Sequence, residues 1–207
     1  MNNSSKKIDI VKLVGVALFT AIVVVLQYLG SFIKFGPFSI SLTLVPIVVG
    51  AALCGPLGGA WLGLVFGAVV LLSGDAGAFL AVNVAGTILT VLLKGALCGL
   101  CAGLVYRLVA GRNPSSIGAK REFIATLAAA VTAPVVNTGV FLLGCLAFFL
   151  PTVTEWGQSM GFESVGKYMI FGLVGGNFLF ELLFNVVLSP VIVRLINIGF
   201  ASLKRKG

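Results

Sequence analysis

The chain has 207 residues, of which 59% are hydrophobic and 10% charged, and its mean hydropathy is +1.15. A soluble domain carries roughly 25% charged residues, and no soluble fold of this length buries so much apolar surface, so the sequence excludes a soluble protein and indicates an all-α integral membrane bundle in a single domain, 1–207. The net charge of +8 does not indicate nucleic-acid binding, because the basic residues gather at the chain ends and in one linker, where anionic lipid headgroups are the natural neighbours.

Hydropathy divides the chain into six apolar segments. The first, about 10–30, follows Lys6 and Lys7. It is too long for a signal peptide and no A-x-A-like cleavage site follows, so it reads as a retained helix. Ala17 and Ala21 form a small-xxx-small pair within it, facing either a helix of this chain or another subunit. The connection "LGSFIKFGPFSISL" carries Phe32, Phe35 and Phe38, and leads to a short second segment, about 42–54. "LCGPLGG" predicts a tight turn there, because Pro56 restricts the residue before it and starts a helix well. The third segment, about 56–73, continues a ladder of Gly55, Gly59, Gly63 and Gly67. After "SGDAGAF" the fourth, about 81–108, repeats the spacing with Gly95, Gly99 and Gly103. A spacing of four puts each set on one helix face, where backbones approach closely; packing within the chain is the expectation. A linker with Arg107, Arg112, Lys120 and Arg121 precedes the fifth segment, about 122–150. The loop "LPTVTEWGQSMGFESVGKY", with Trp156 and Phe162, precedes the sixth, about 167–200.

Six crossings place both termini and the basic linker on one side of the membrane. The positive-inside rule makes that side cytoplasmic, and five or seven crossings would split the basic ends. The loops on the other side carry aromatics and glycines, among them Phe35, Phe38 and Trp156, which read either as a lid over a ligand or as interfacial anchors.

Two charges lie at bilayer depth, Lys94 and Glu181. Each sits roughly 18–21 Å below the outer end of its helix, so they meet at similar depth if the helices are neighbours. A charge there must be paired or wet. The two residues either form an ion pair that fixes packing or line a polar ligand pocket, and one arrangement does not exclude the other. Neutral polar residues favour a pocket: Asn83 and Thr87 in segment four, Asn137 and Thr138 in segment five, and Asn177, Glu181 and Asn185 on one face of segment six. A stripe of that kind in lipid is expensive, so it faces protein or water.

Catalysis and metal binding are not expected. The chain has no histidine, its deep carboxylate is Glu181 alone, and Ser73-Gly74-Asp75 reads as a cap or turn. Cys98 and Cys101 form a CxxC with no second ligand pair, so all four cysteines read as small packing residues, and no cofactor is implied. A stand-alone secondary transporter or a non-catalytic membrane subunit is the other class the residues leave open.

"SLTLVPIVVGAALCGPLGGAWLGLVFG", "ALFTA" in segment one and "KYMIFGLVGGNFLFELLFNVVLSPVI" at the end together resemble the substrate-binding S components of energy-coupling factor transporters. The resemblance covers most of the chain, and the last helix is similar to that of the riboflavin-type members. It implies a multi-pass protein of the bacterial plasma membrane. Such a protein binds one vitamin-like micronutrient from outside, in a pocket of helices four to six under capping loops. It implies a transmembrane coupling subunit and two cytoplasmic ATPases as partners, in keeping with the lack of a Walker motif here. By the same resemblance Ala17 and Ala21 contact the coupling subunit, and helices one to three, with their glycine seam, form the docking face. Riboflavin-type members carry acidic residues before the short helix, and "FGPFSISLTLVP" has none. Lys94 suits a carboxylate. The expected ligand is therefore pantothenate first, then riboflavin or folate, held by Asn83, Thr87, Lys94, Asn137, Asn177 and Glu181.

Overall fold

A computed structural model describes residues 3–32, 34–35, 38–39, 42–111 and 117–205, with side chains at 10, 12–32, 42–111 and 117–201. Ten α-helices and one two-stranded hairpin are found among them: α1 Asn3–Ser31, β1 Lys34–Phe35, β2 Phe38–Ser39, α2 Leu44–Cys54, α3 Pro56–Leu72, α4 Gly77–Leu80, α5 Val84–Ala110, α6 Ala119–Phe148, α7 Leu150–Ser159, α8 Val165–Lys167, α9 Gly175–Val187 and α10 Ser189–Arg205. A π-helical stretch, Tyr168–Val174, joins α8 to α9. Four helical spans are long and apolar enough to cross a membrane: Lys12–Ser31, Val84–Ala110, Ala119–Phe148 and Val165–Val187; Leu44–Cys54, Pro56–Leu72 and Ser189–Ala201 are apolar but shorter.

The α2–α3 junction follows its sequence. Gly55 takes φ +87°, a left-handed conformation that a Cβ would strain, and Pro56 opens α3 as its first residue. Gly55 is thus a turn residue and not a rung of the ladder. The other rungs lock α3 antiparallel onto α5. A Cβ at Gly63 would fall on the Gly95 carbonyl, one at Gly59 on the Gly99 carbonyl, and one at Gly67 would lie 2.7 Å from the Val91 oxygen. At the far end a Cβ on Gly103 would come 2.7 Å from Pro56 Cα. The seam is packed within the chain, as expected from its spacing, and the other side of α3 leaves Leu57 and Trp61 exposed.

α5 packs in turn on α6, and α2 lies against α3, α1, α5 and α6, contributing Leu44, Ile47 and Val48 to a core that also holds Phe66, Tyr106, Ile192 and Ile196. The all-α class stands, with one minimal hairpin in the first connection, where Lys34–Phe35 pairs antiparallel with Phe38–Ser39. One further expectation changes. The sixth apolar segment is two helices, broken at Leu188 ahead of Pro190, whose ring and missing N–H interrupt the helical ladder.

Substituting the seam should separate α3 from α5. Gly63→Val is expected to cost about 3 kcal/mol or more, measured as thermal unfolding in detergent. Gly139→Ala on α6, where an added Cβ meets nothing within 4 Å, should be neutral or stabilising by up to about 1 kcal/mol.

Candidate functional site

At the end of the bundle away from the Gly55–Pro56 turn, five parts of the chain close around a cavity. The first three turns or so of α5 carry Thr87, Thr90, Val91 and Lys94 on one face, at helical spacing. Asn137 and Phe141 come from α6, Asn177 and Glu181 from α9, each pair one turn apart. Gln27 enters from α1, and Asp75 from the connection between α3 and α4.

Glu181 is the hub on the α9 side. It is buried, and its two carboxylate oxygens accept from Asn177 Nδ2 at 3.1 Å and Asn137 Nδ2 at 3.4 Å. Asn185, one turn further on, donates to the Glu181 backbone carbonyl at 2.8 Å, and Ser189 Oγ donates to the Asn185 carbonyl at 3.0 Å. The stripe read from the sequence therefore divides. Asn177 and Glu181 face the cavity, while Asn185 braces the helix beneath it.

Lys94 reaches into the same cavity, its ammonium 5.4 Å from the Phe141 ring centroid and 5.7 Å from that of Phe66. Ring faces attract a cation where water is scarce. A second polar group closes the α1 side: Gln27 Nε2 donates to Asp75 Oδ2 at 3.1 Å, Ser73 Oγ donates to the same oxygen at 3.0 Å, and Thr43 Oγ1 donates to Gln27 Oε1 at 3.2 Å. This ties α1, α2 and the end of α3 to the cavity wall.

Aromatic rings form the roof. Phe79 of α4 stands edge-on to Phe141, Phe149 and Trp156, with centroids 5.4, 5.0 and 5.4 Å apart. Such edge-to-face pairs add to the apolar burial. Trp156 belongs to α7, so the loop between segments five and six holds a helix laid over the cluster. Beneath the roof the free space is about 50 Å³, enough for a few waters, whereas small-molecule pockets run to roughly 300–1,000 Å³. Admitting a vitamin-sized ligand requires the roof or the Lys94 side chain to move. Among the described residues, three buried polar atoms on the lining have no hydrogen-bond partner: Thr90 Oγ1, Asn137 Oδ1 and Asn177 Oδ1. Buried polar atoms are nearly always paired, so these three are the positions that invite a ligand or water.

The sequence-predicted residues separate clearly. Thr87, Lys94, Asn137, Asn177 and Glu181 meet at the cavity. Asn83 does not line it; its side chain caps α5, accepting from the Gly86 N–H at 2.9 Å, and Thr87 Oγ1 donates to its carbonyl at 2.7 Å. Trp156 is in the roof. Phe35 and Phe38 sit on the hairpin strands, and their side chains lie outside the described residues. Ala17 and Ala21 are exposed on α1, remote from the cavity. Gln27, Asp75, Thr90 and the Phe79 cluster went unread. Gln27 had a signal, as the one amide in the apolar run of α1; Asp75 was masked by its place in a turn.

The sequence model of the family "ECF transporter, substrate-specific component" matches residues 11–196. Among solved structures, ThiT from Listeria monocytogenes is similar, with a TM-score of 0.67 at 19% identity, covering 93% of this chain and 98% of that one. At that identity the likeness concerns the fold. None of the curated proteins matches the chain.

Removing the carboxylate hub should be costly even without ligand. Glu181→Leu leaves two buried amides unpaired, at about 1–3 kcal/mol each. A clear drop in the unfolding midpoint in detergent is expected, with Glu181→Gln retaining part of the loss.

Proposed function

The chain belongs to the substrate-specific components of ECF transporters, and from that premise we propose that it is the high-affinity membrane receptor for one vitamin-like micronutrient, held in the Lys94–Glu181 cavity. The observation that carries this reading is the set of unpartnered Thr90, Asn137 and Asn177 oxygens around Lys94 in a buried cavity.

In this reading the chain crosses the membrane six times, with α9 and α10 forming one broken crossing. α2, at 11 residues, rises only about 16 Å against a hydrocarbon core of about 30 Å. The extended hairpin connection, which gains about 3.3 Å per residue, completes that crossing. The termini and basic linker face the cytoplasm of a bacterial cell, and the cavity faces outside. Thr87, Lys94, Asn137, Asn177 and Glu181 bind the ligand, joined by Gln27, Asp75 and Thr90. Asn83 supports the site by fixing the start of α5. Phe35, Phe38 and Trp156 form the lid.

The cavity offers a cation, carboxylates, amides and ring edges. It suits a ligand with an acidic or carbonyl end against Lys94 and hydrogen-bond donors against Glu181. Pantothenate comes first on that chemistry, then riboflavin and folate. The chain itself performs no catalysis. A transmembrane coupling subunit, contacted at Ala17 and Ala21, and two cytoplasmic ATPases supply the energy.

Native mass spectrometry with a panel of B vitamins, thiamine included, tests the reading. One vitamin retained at one-to-one stoichiometry is expected, and an apo mass under every condition would overturn it. Lys94→Ala should weaken that binding by about ten- to a hundredfold, the worth of a hydrogen bond to a charged group. Unchanged affinity in the folded variant would remove Lys94 from the site. Ala17→Leu should keep ligand affinity and lose uptake in cells carrying the ATPase module.

A further inference from the structure

The cavity has a continuation to the side. Lys94, Asn137, Phe141 and Asn177 line it, and the same four residues line a smaller space of about 30 Å³ that adds Thr138 of α6 and Val174 of the π-helical stretch. Thr138 and Val174 in turn line an apolar groove of about 410 Å³, between α6 on one side and the π-helical stretch and α9 on the other. The groove lies on the outside of the bundle, since Ile170, Phe171 and Leu179 on its lining are exposed. Asn137 and Thr138 are neighbours in α6, about 100° apart around its axis. The helix therefore presents one residue to the cavity and the next to the groove, and the small space is the neck between them.

We propose that the ligand site runs through this neck into the groove, so that the ligand carries an anionic or carbonyl end, then N–H or O–H donors, then an apolar arm. This rests on the reading of the Lys94–Glu181 cavity as the ligand site, and adds the shape and chemical order of what fills it. The order follows the lining from inside to outside. Lys94 supplies positive charge in the cavity. Asn137 Oδ1 and Asn177 Oδ1 are buried acceptors without a hydrogen-bond partner, on residues that line both the cavity and the neck. Buried acceptors of this kind call for a donor. Beyond the neck the lining is apolar side chains and glycines, apart from Thr138.

Room points the same way. The cavity offers about 50 Å³ under its ring cluster, well short of the roughly 300 Å³ at which small-molecule pockets begin. The groove is a much larger space one residue layer away. Movement of the roof or of Lys94 admits the polar end, and the arm then needs only Thr138 and Val174, two short side chains, to turn aside. Gly139 leaves the α6 wall of the groove bare. An added Cβ there would meet nothing within 4 Å, and Gly139 lines neither the cavity nor the neck. A larger side chain at Gly139 therefore fills the groove and leaves the polar part of the site in place.

The test uses the full chain in mild detergent, titrated calorimetrically with N-acyl-β-alanines of rising acyl length, from acetyl to octanoyl. Each probe is a carboxylate, an amide N–H and an apolar arm, in that order. Affinity for the wild type should rise about two- to fourfold per methylene, the worth of burying one partly or fully. Gly139→Leu should bind the acetyl probe like the wild type and lose the rise with length. Affinity independent of acyl length would overturn the proposal. So would a rise that persists undiminished in Gly139→Leu, since the arm would then lie outside the groove, in the micelle or under the roof. The same protein with the panel of B vitamins separates the two readings. A vitamin retained one-to-one beside a flat acyl series removes the side arm and keeps the cavity, whereas no vitamin retained and no acyl-β-alanine bound removes both.

Discussion

Where Gly59 and Gly63 of α3 lie against Gly99 and Gly95 of α5, two helix backbones touch with no side chains between them. This contact admits one antiparallel register. It also rotates α5 about its axis, because the glycine face must point at α3. Lys94, adjacent in sequence to Gly95, is thereby turned along the seam's flank, over Phe66 of α3 and toward α6. Thr87, Thr90 and Val91 follow on the same side. A slip of one turn along the seam would carry Lys94 about 5 Å away from Glu181 and Asn137. Close backbone packing between α3 and α5 therefore sets the polar geometry of the cavity alongside it.

Much of this was legible in the sequence, for reasons that can be named. A spacing of four glycines survives any uncertainty in helix ends, and so does Asn177 one turn from Glu181. Both signals are local to one helix. Lys94 and Glu181 announced themselves because a charge at bilayer depth has few neutral explanations. Other roles are not visible in periodicity. Asn83 reads as a ligand residue because polarity alone does not separate a cap from a lining residue, and its side chain accepts from the Gly86 N–H three residues on. Gln27 and Asp75 lie 48 positions apart, and neither has a periodic partner. The roof is built from α4, α6 and α7, three elements whose rings meet only in the folded chain. Hydropathy also merged α9 and α10, since Pro190 sits in a stretch that is apolar on both sides.

The site combines a cation over two rings with a carboxylate that accepts from two amides. Family membership says that such a chain binds a substrate, and the cavity presents polar atoms that the protein itself leaves without a hydrogen-bond partner. The roof explains why the free volume is small: Phe79 contacts three other rings, so opening the cavity means breaking a cluster and not merely rotating one side chain.

The π-helical stretch Tyr168–Val174 ends three residues before Asn177. A π turn takes in more residues than an α turn, and each residue of an α-helix is worth about 100° of rotation. The stretch therefore behaves as a phase shifter built into the wall. Had the chain run through these residues as a regular α-helix, Asn177 and Glu181 would have arrived at a different azimuth, with their polar face turned off the cavity. The direction in which the carboxylate points is thus encoded upstream of it, in the pitch of a segment that bears no charge after Lys167, and length changes in that segment are a route by which the same helix could present a different face.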